Sequence, residues 1–228
     1  MSIVFHQSEL KLVDGEASFI YGELGLKTSE RFLVRLALSY SVVDRDVIAD
    51  GLGDGYVYGD FRISGDTLNI EGLYARCHLR LPMGSVGIAP FSYASLESGI
   101  GIEVRMKFPL FFMRVSGSYS LSEKKDEELN LGNYALGALS FRFPVVKMFD
   151  LKFSGFYVGS KGGELREIYE LSLCGKVMDR LHVEAGWLID SGEESRRVFN
   201  TQVFITVRFT FPSSRVQTKM PSTEVLGS

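Results

Sequence analysis

The chain has 228 residues, 45% of them hydrophobic, which is enough for one large β domain. No stretch approaches the run of about 20 apolar residues that a spanning helix needs, so a helix-bundle membrane protein is excluded. The net charge of −3 argues against nucleic acid as a main partner. Two cysteines and three scattered histidines form neither a disulfide framework nor a metal-ligand pattern, so no cofactor or metal is expected.

The first half of the chain is predicted to be a series of strands separated by turns rich in glycine, aspartate and proline. Residues 1–16 are expected to be an N-terminal lead-in, in which residues 3–12 form either a short strand or a periplasmic segment. Residues 44–55 are expected to be a loop, and residues 82–85 a tight turn. The strands predicted in this half are 17–26, 32–43, 56–63, 68–81 and 86–95.

The second half continues the pattern with short and long connections in alternation. Tight turns are predicted at Pro109 and at residues 178–180, and longer charged loops at 122–128, 161–166 and 190–195. From residue 17 to residue 211 the chain counts to about twelve strands, and the polar tail 212–228 is expected to be disordered. The strands predicted in this half are 100–108, 111–121, 129–143, 151–159, 168–177, 181–189 and 196–211.

The last predicted strand carries the clearest signal. From Phe199 it alternates between an apolar and a polar face, and the apolar face closes on Phe209 and Phe211. This strand resembles the last strand of a bacterial outer-membrane β-barrel, where the final outward residue is usually aromatic. The resemblance implies an all-β, antiparallel, up-and-down transmembrane β-barrel of about twelve strands with a polar lumen, spanning residues 17–211. It also implies a lipid bilayer and the barrel-assembly machinery as partners, and a mature chain whose signal peptide has been removed.

Three patterns favour a barrel in lipid over a soluble one. Charged residues recur in the middle of the polar face, and about twelve strands enclose an interior too wide to be filled by apolar side chains. Short turns alternate with longer loops, as they do between the periplasmic and outer sides of such barrels. Outward aromatics form two bands, as at the two lipid–water interfaces. The band near the loops contains Tyr119, Tyr157, Tyr169, Trp187 and Phe199, and the band near the tight turns contains Phe108, Phe111, Phe141, Phe143, Phe209 and Phe211.

Charged residues on the polar face are the candidate pore-lining residues. They either pair across strands and keep the interior closed, or they create a positive field in a narrow water-filled pore. Arg80, Lys107, Arg142, Lys176 and Arg208 are expected to form a partial ring near the periplasmic end. The full set is Arg35, Arg76, Arg80, Glu103, Arg105, Lys107, Arg114, Arg142, Lys152, Glu170, Lys176, Glu184 and Arg208.

A catalytic interpretation is weighed and set aside. His182 and Glu184 share an inward face with Ser172 on the neighbouring strand, which resembles a serine relay. Barrel phospholipases, however, place the serine and histidine outward at the lipid boundary, so no enzyme is expected. Cys174 should point inward and Cys77 outward, which predicts two free thiols.

The sequence therefore predicts an outer-membrane porin or channel for passive diffusion of small solutes, anions among them. Two alternatives stay open. One is a structural or adhesion barrel without an open pore, in which the acidic loops carry the function. The other is a soluble all-β ligand-binding barrel.

Overall fold

The computed structural model describes residues 1–12, 15–44, 48–65, 67, 69–84, 96–122, 133–160, 166–191 and 201–211, with the side chain of residue 160 excepted. The predicted tail 212–228 and most of the acidic loops lie outside the described residues. No helix within these ranges is long and apolar enough to cross a membrane. The strands are β1 Ser2–Lys11, β2 Glu16–Lys27, β3 Phe32–Asp44, β4 Ile48–Leu52, β5 Gly55–Ser64, β6 Ile70–Leu81, β7 Glu97–Lys107, β8 Phe112–Ser122, β9 Tyr134–Val146, β10 Phe149–Ser160, β11 Arg166–Met178, β12 Leu181–Asp190 and β13 Thr201–Thr210.

The strands form one closed antiparallel barrel. Each pairs with its neighbours in chain order, and β13 returns to pair with β1 from Ser2↔Thr210 to Lys11↔Thr201. β4 and β5 both pair with β3, so they are two parts of one interrupted strand and the wall has twelve strands. The expected all-β barrel of about twelve strands is therefore confirmed.

Two details of the predicted order are wrong. The barrel was expected to begin at residue 17, but β1 stands between β2 and β13 and pairs with both. Residues 2–11 of the expected lead-in are thus part of the wall, because their backbone groups complete the ladder between two strands. Residues 86–95, predicted as a strand, lie outside the described residues, and β6 pairs directly with β7.

The strand register determines the tilt of the strands relative to the barrel axis. Following the paired residues once round the barrel returns to β1 about 14 residues further along, a shear that corresponds to a strand tilt of about 40°. With strands spaced as in ordinary sheets, the backbone wall has a radius of about 12 Å. Such a barrel can hold its inward side chains and still leave space between them for water or a solute.

The two ends of the barrel differ. At the turn end, where β1 begins and β13 ends, the connections are the short segments 28–31, 65–69, 108–111, 147–148 and 179–180. At the loop end, the connections 82–96, 123–133 and 191–200 are longer. The turn at Pro82 therefore belongs to the loop end and not, as predicted, to the same end as Pro109.

The outer face is apolar and carries the aromatics that were expected there. Tyr119, Tyr169 and Trp187 are exposed near the loop end. At the turn end Phe108 stacks on Phe111 with ring centroids 4.7 Å apart, and Phe111 meets Phe143 at 5.8 Å. Phe199 lies outside the described residues. Both cysteines are free, and Cys77 is exposed while Cys174 is buried, as predicted.

The buried apolar core lies inside the barrel and to one side. Leu10, Leu12, Ala17 and Val43 form it, with exposed fractions of 1–5%. Phe19, Ile168 and Leu188 pack against it. All these residues except Leu12 sit on the inward face of their strands, so apolar side chains fill part of the interior near the loop end.

Candidate functional site: the barrel interior

The thirteen charged residues predicted to line the interior all share the inward register. Arg76, for example, lies opposite Asp60 on one side and Gly101 on the other, and Lys152 lies opposite Arg142 and Ser172. The structure sorts them into a mid-height chain of ion pairs, a lysine cluster, a basic turn end and a mouth cluster at the loop end.

The chain of ion pairs runs along the inner face of the wall from β2 to β7. Arg35 bridges Glu23 at 3.3 Å and Asp60 at 2.9 Å. Arg76 in turn bridges Asp60 at 2.8 Å and Glu103 at 2.6 Å. Each arginine thus ties together carboxylates from two neighbouring strands, which fixes side chains that would otherwise move freely in a wide interior.

Glu103 is the centre of this chain. Its side chain is fully buried and accepts ion pairs from Arg76, from Arg105 at 2.7 Å and from Arg114 at 2.5 Å. The side chains of Arg105 and Arg114 remain 40% and 47% exposed. One carboxylate therefore holds three guanidinium groups, and the chain of ion pairs as a whole has four arginines to three carboxylates, an excess of one positive charge.

The lysine cluster lies on the other side of the barrel. Lys152 Nζ is 2.7 Å from Glu170 Oε1 and 2.9 Å from Glu184 Oε1. Ser172 Oγ is 2.8 Å from each of the same two oxygens. His182 lies opposite Lys176 and Arg208 instead. The serine is therefore bound to carboxylates that already pair with a lysine, which is not the geometry of a relay.

The turn end is basic. Lys107, Arg142, Lys176 and Arg208 all lie near the turn-end termini of their strands, as expected. Arg142 directly opposes Lys152, and Arg105 opposes Arg114. Like charges that face each other across a ladder repel. Carboxylates offset part of this repulsion, because Glu103 pairs with both arginines and Lys152 pairs with Glu170 and Glu184. Lys176 donates to Asp179 in the 179–180 turn at 2.9 Å, which lowers the pKa of that exposed carboxyl.

Arg80 is not a member of this ring. It ends β6 at the loop end, where Nε donates to the buried Asp54 at 2.7 Å and Nη1 lies 3.7 Å from Glu97. Its predicted position is wrong because β6 pairs directly with β7 in the wall, so β6 ends at the loop end.

The mouth cluster around Arg80 contains residues that the sequence did not single out. Four residues of β3, from Tyr40 to Ala37, face five residues of the β4–β5 strand, from Leu52 to Tyr56. This β-bulge turns Asp54 inward, where it is fully buried. The signal was available in the run GLGDG, because glycines around a single acid are typical of a bulge as well as of a loop.

Glu97 completes the mouth cluster. Its Oε1 accepts from Tyr134 at 2.7 Å and lies 3.0 Å from His78 Nε2. Ser120 Oγ lies 3.2 Å from the same nitrogen and is 1% exposed. Glu97 and Ser120 both contact the same nitrogen of His78, and Ser120 is buried. The three residues are therefore not arranged as a nucleophile with its base.

Solved structures of outer-membrane channels have this architecture. The KdgM porin in complex with disordered oligogalacturonate matches with a TM-score of 0.66 at 10% identity, over 93% of this chain and all of that one. The chain has the fold of a porin barrel. A COG4313 outer membrane channel from Pseudomonas putida F1 matches at 0.70 and 10% identity, over 92% and 94% of the two chains. The NanC porin matches at 0.67 and 7% identity, over 92% of this chain and all of NanC.

No protein-family model matches this chain, and no curated protein matches it by sequence. At identities this low the porin likeness establishes the fold. The solute and the direction of transport have to be argued from the residues inside the barrel.

Proposed function

We propose that this protein is an outer-membrane channel for passive diffusion of small solutes and that it favours anions. The observation that carries the proposal is the set of like-charged, solvent-exposed basic residues held inside the barrel. Arg105 and Arg114 face each other between β7 and β8 and share a single carboxylate, Glu103. Positive charge in excess of the acids that pair with it favours a permeating anion.

A wide, wet barrel supports the channel over a closed structural one. The wall radius of about 12 Å leaves space inside, and the side chains of Arg114, Arg142 and Lys176 are 47%, 48% and 52% exposed. Solvated cations on an inner wall attract anions and raise their local concentration. KdgM is described in complex with an oligogalacturonate, an acidic sugar chain, so short uronates are suitable test solutes.

The channel is tested in planar bilayers with purified, refolded protein. We expect stepwise unit conductance and a reversal potential in a salt gradient that indicates anion preference. The double variant Arg105→Glu, Arg114→Glu should shift the reversal potential toward cations, whereas Glu9→Gln on the outer face should leave it unchanged. An unchanged reversal potential in the double variant would mean that these arginines have only a structural role in the barrel wall.

The membrane location has a separate test. Ile102 is 58% exposed on the outer face of β7, and Ser116 faces inward beside Glu103. Ile102→Arg should lower the free energy of unfolding in lipid vesicles by about 2–4 kcal/mol, because a charge at mid-membrane is poorly solvated. Ser116→Arg should cost far less. Equal costs, or a protein that stays dispersed without detergent, would favour the soluble barrel.

A further inference from the structure

Two parts of the inner wall differ in what they bury. The packed arc is the inner face of β11–β13 and β1–β3 near the loop end, and the serine arc is the inner face of β7–β9 at mid-height. Buried inward side chains of these strands are Val4, Ser8, Leu10, Ala17, Ala37, Ser39, Ser41, Val43, Glu170, Ser172, Cys174, Asp190 and Phe204. The two acids are paired, Glu170 with Lys152 and Asp190 with Arg166. The serine arc consists of Gly101, Ser116, Ser118, Ala138 and Ser140, all half-buried.

Rings extend the packed arc from the loop end to mid-height. His6 stacks on Phe204 with centroids 5.4 Å apart and meets the edge of Phe19 at 6.1 Å. Phe19 stacks on Tyr21 at 6.3 Å. His6 Nδ1 lies 2.8 Å from Thr206 Oγ1, which holds the imidazole against the wall. These side chains cover the inner face of β13, β1 and β2, which are neighbours in the sheet.

Contacts between strands that are not neighbours show how far the packed arc extends into the barrel. Phe19 on β2 belongs to the same cluster as Ile168 on β11 and Leu188 on β12. β13 and β1 lie between those strands in the wall. Ile168 and Leu188 therefore pack against residues of the β1–β3 region, which are on strands that are not their neighbours in the sheet.

We propose that these residues are an internal apolar plug that sets the size limit of the channel and confines the water path to the serine arc. The plug is defined as Leu10, Leu12, Ala17, Phe19, Val43, Ile168, Leu188 and Phe204. Transmembrane barrels of this kind ordinarily have a polar interior, and a cluster buried to a few per cent excludes water. The small side chains of the serine arc, on the opposite wall, leave the rest of the lumen open. The inference rests on the proposed function in taking the lumen to be water-filled.

Thiol accessibility tests the plug without requiring conduction. Ser8 and Ser118 both point inward in the loop-end half of their strands, but Ser8 is 1% exposed and Ser118 is half-buried. In a background with Cys77→Ser and Cys174→Ser, Ser8→Cys and Ser118→Cys are compared with a charged methanethiosulfonate reagent and read by intact mass. Ser118→Cys should react at least about 10-fold faster, as expected for a wetted against a dry site. Equal rates would overturn the plug.

Conductance tests the size limit. Phe19→Ala with Leu188→Ala should raise unit conductance by about 1.5-fold or more and admit larger neutral polymers, since pore radius governs both. The matched control is Ile20→Ala with Ile189→Ala, the adjacent outward residues, which should change neither. Ser118→Phe should reduce conductance by half or more, with Val115→Phe on the outer face as its control.

The outcomes separate the two proposals. A wild type without conductance whose Ser118→Cys still reacts faster than Ser8→Cys removes the channel and keeps the plug. A conducting wild type whose conductance is insensitive to Phe19→Ala with Leu188→Ala removes the plug and keeps the channel. Should that pair fail to fold, as judged by its heat-modified mobility on gels, the thiol comparison decides alone.

Discussion

The packed arc and the serine arc are built from the same kind of strand but differ in what holds them in place. In the packed arc, apolar side chains such as Leu10 and Phe204 exclude water and make contacts across the barrel. Around the serine arc, side chains are small, and the neighbouring arginines are positioned by one buried carboxylate, Glu103. An interior can therefore be stabilised by packing on one side and kept wet by charge on the other.

The largest expected effect comes from placing a charge in each arc. Ala17→Asp in the packed arc should lower the free energy of unfolding by about 3–5 kcal/mol, because the carboxylate would be buried without a partner. Ser118→Asp in the serine arc should cost less than about 1 kcal/mol, since water can solvate it. Urea unfolding in lipid vesicles measures both. Similar costs would mean that the two arcs are equally dry.

A second change probes the carboxylate that holds the arginines. Glu103→Gln should lower stability by about 1–3 kcal/mol, because three guanidinium groups lose their shared charged acceptor. It should also increase anion preference, since a negative charge leaves the interior. Glu9→Gln, on the outer face beside Ser18, is the matched control for stability. Greater stability together with lower anion preference would contradict the role given to Glu103.

The smallest expected effect has opposite signs in the two arcs. The hydroxyl of Ser41 is buried with no hydrogen-bond partner within the described part of the chain, whereas Ser140 donates to Ser154 at 2.9 Å. Ser41→Ala should therefore stabilise the barrel by about 1 kcal/mol, and Ser140→Ala should destabilise it by a similar amount. Two changes of the same sign would show that Ser41 bonds to water, and the packed arc would then not be dry.

Alternation was sufficient to predict which way the side chains point. Each charged residue in the predicted interior lies on the inward face, because a period of two leaves little freedom once one face is apolar. β1 was harder to recognise, since its outward face runs from Ile3 and Phe5 to the polar Gln7 and Glu9. That face is apolar over only two positions, so the segment resembled a lead-in.

The end of the barrel on which a residue lies depends on counting strands. The strand predicted between β6 and β7, together with the unrecognised β1, placed Arg80 at the turn end, although its inward direction was right. The plug could not be foreseen, because its members come from strands far apart in sequence and alternate like any other residues. Only the closed register brings Phe19, Ile168 and Leu188 against the same buried cluster.

The ladder between β1 and β13 also constrains how the barrel folds. Its pairs, such as Ser2 with Thr210, join residues separated by almost the whole chain, so they form only after the strands between them are available. Contacts of such long range are slow to form because the loop must be closed before any of them is gained. Until then β1 and β13 present unpaired backbone groups, each costing several kcal/mol in hydrocarbon. Completion of this one seam is therefore expected to be the committed step of insertion.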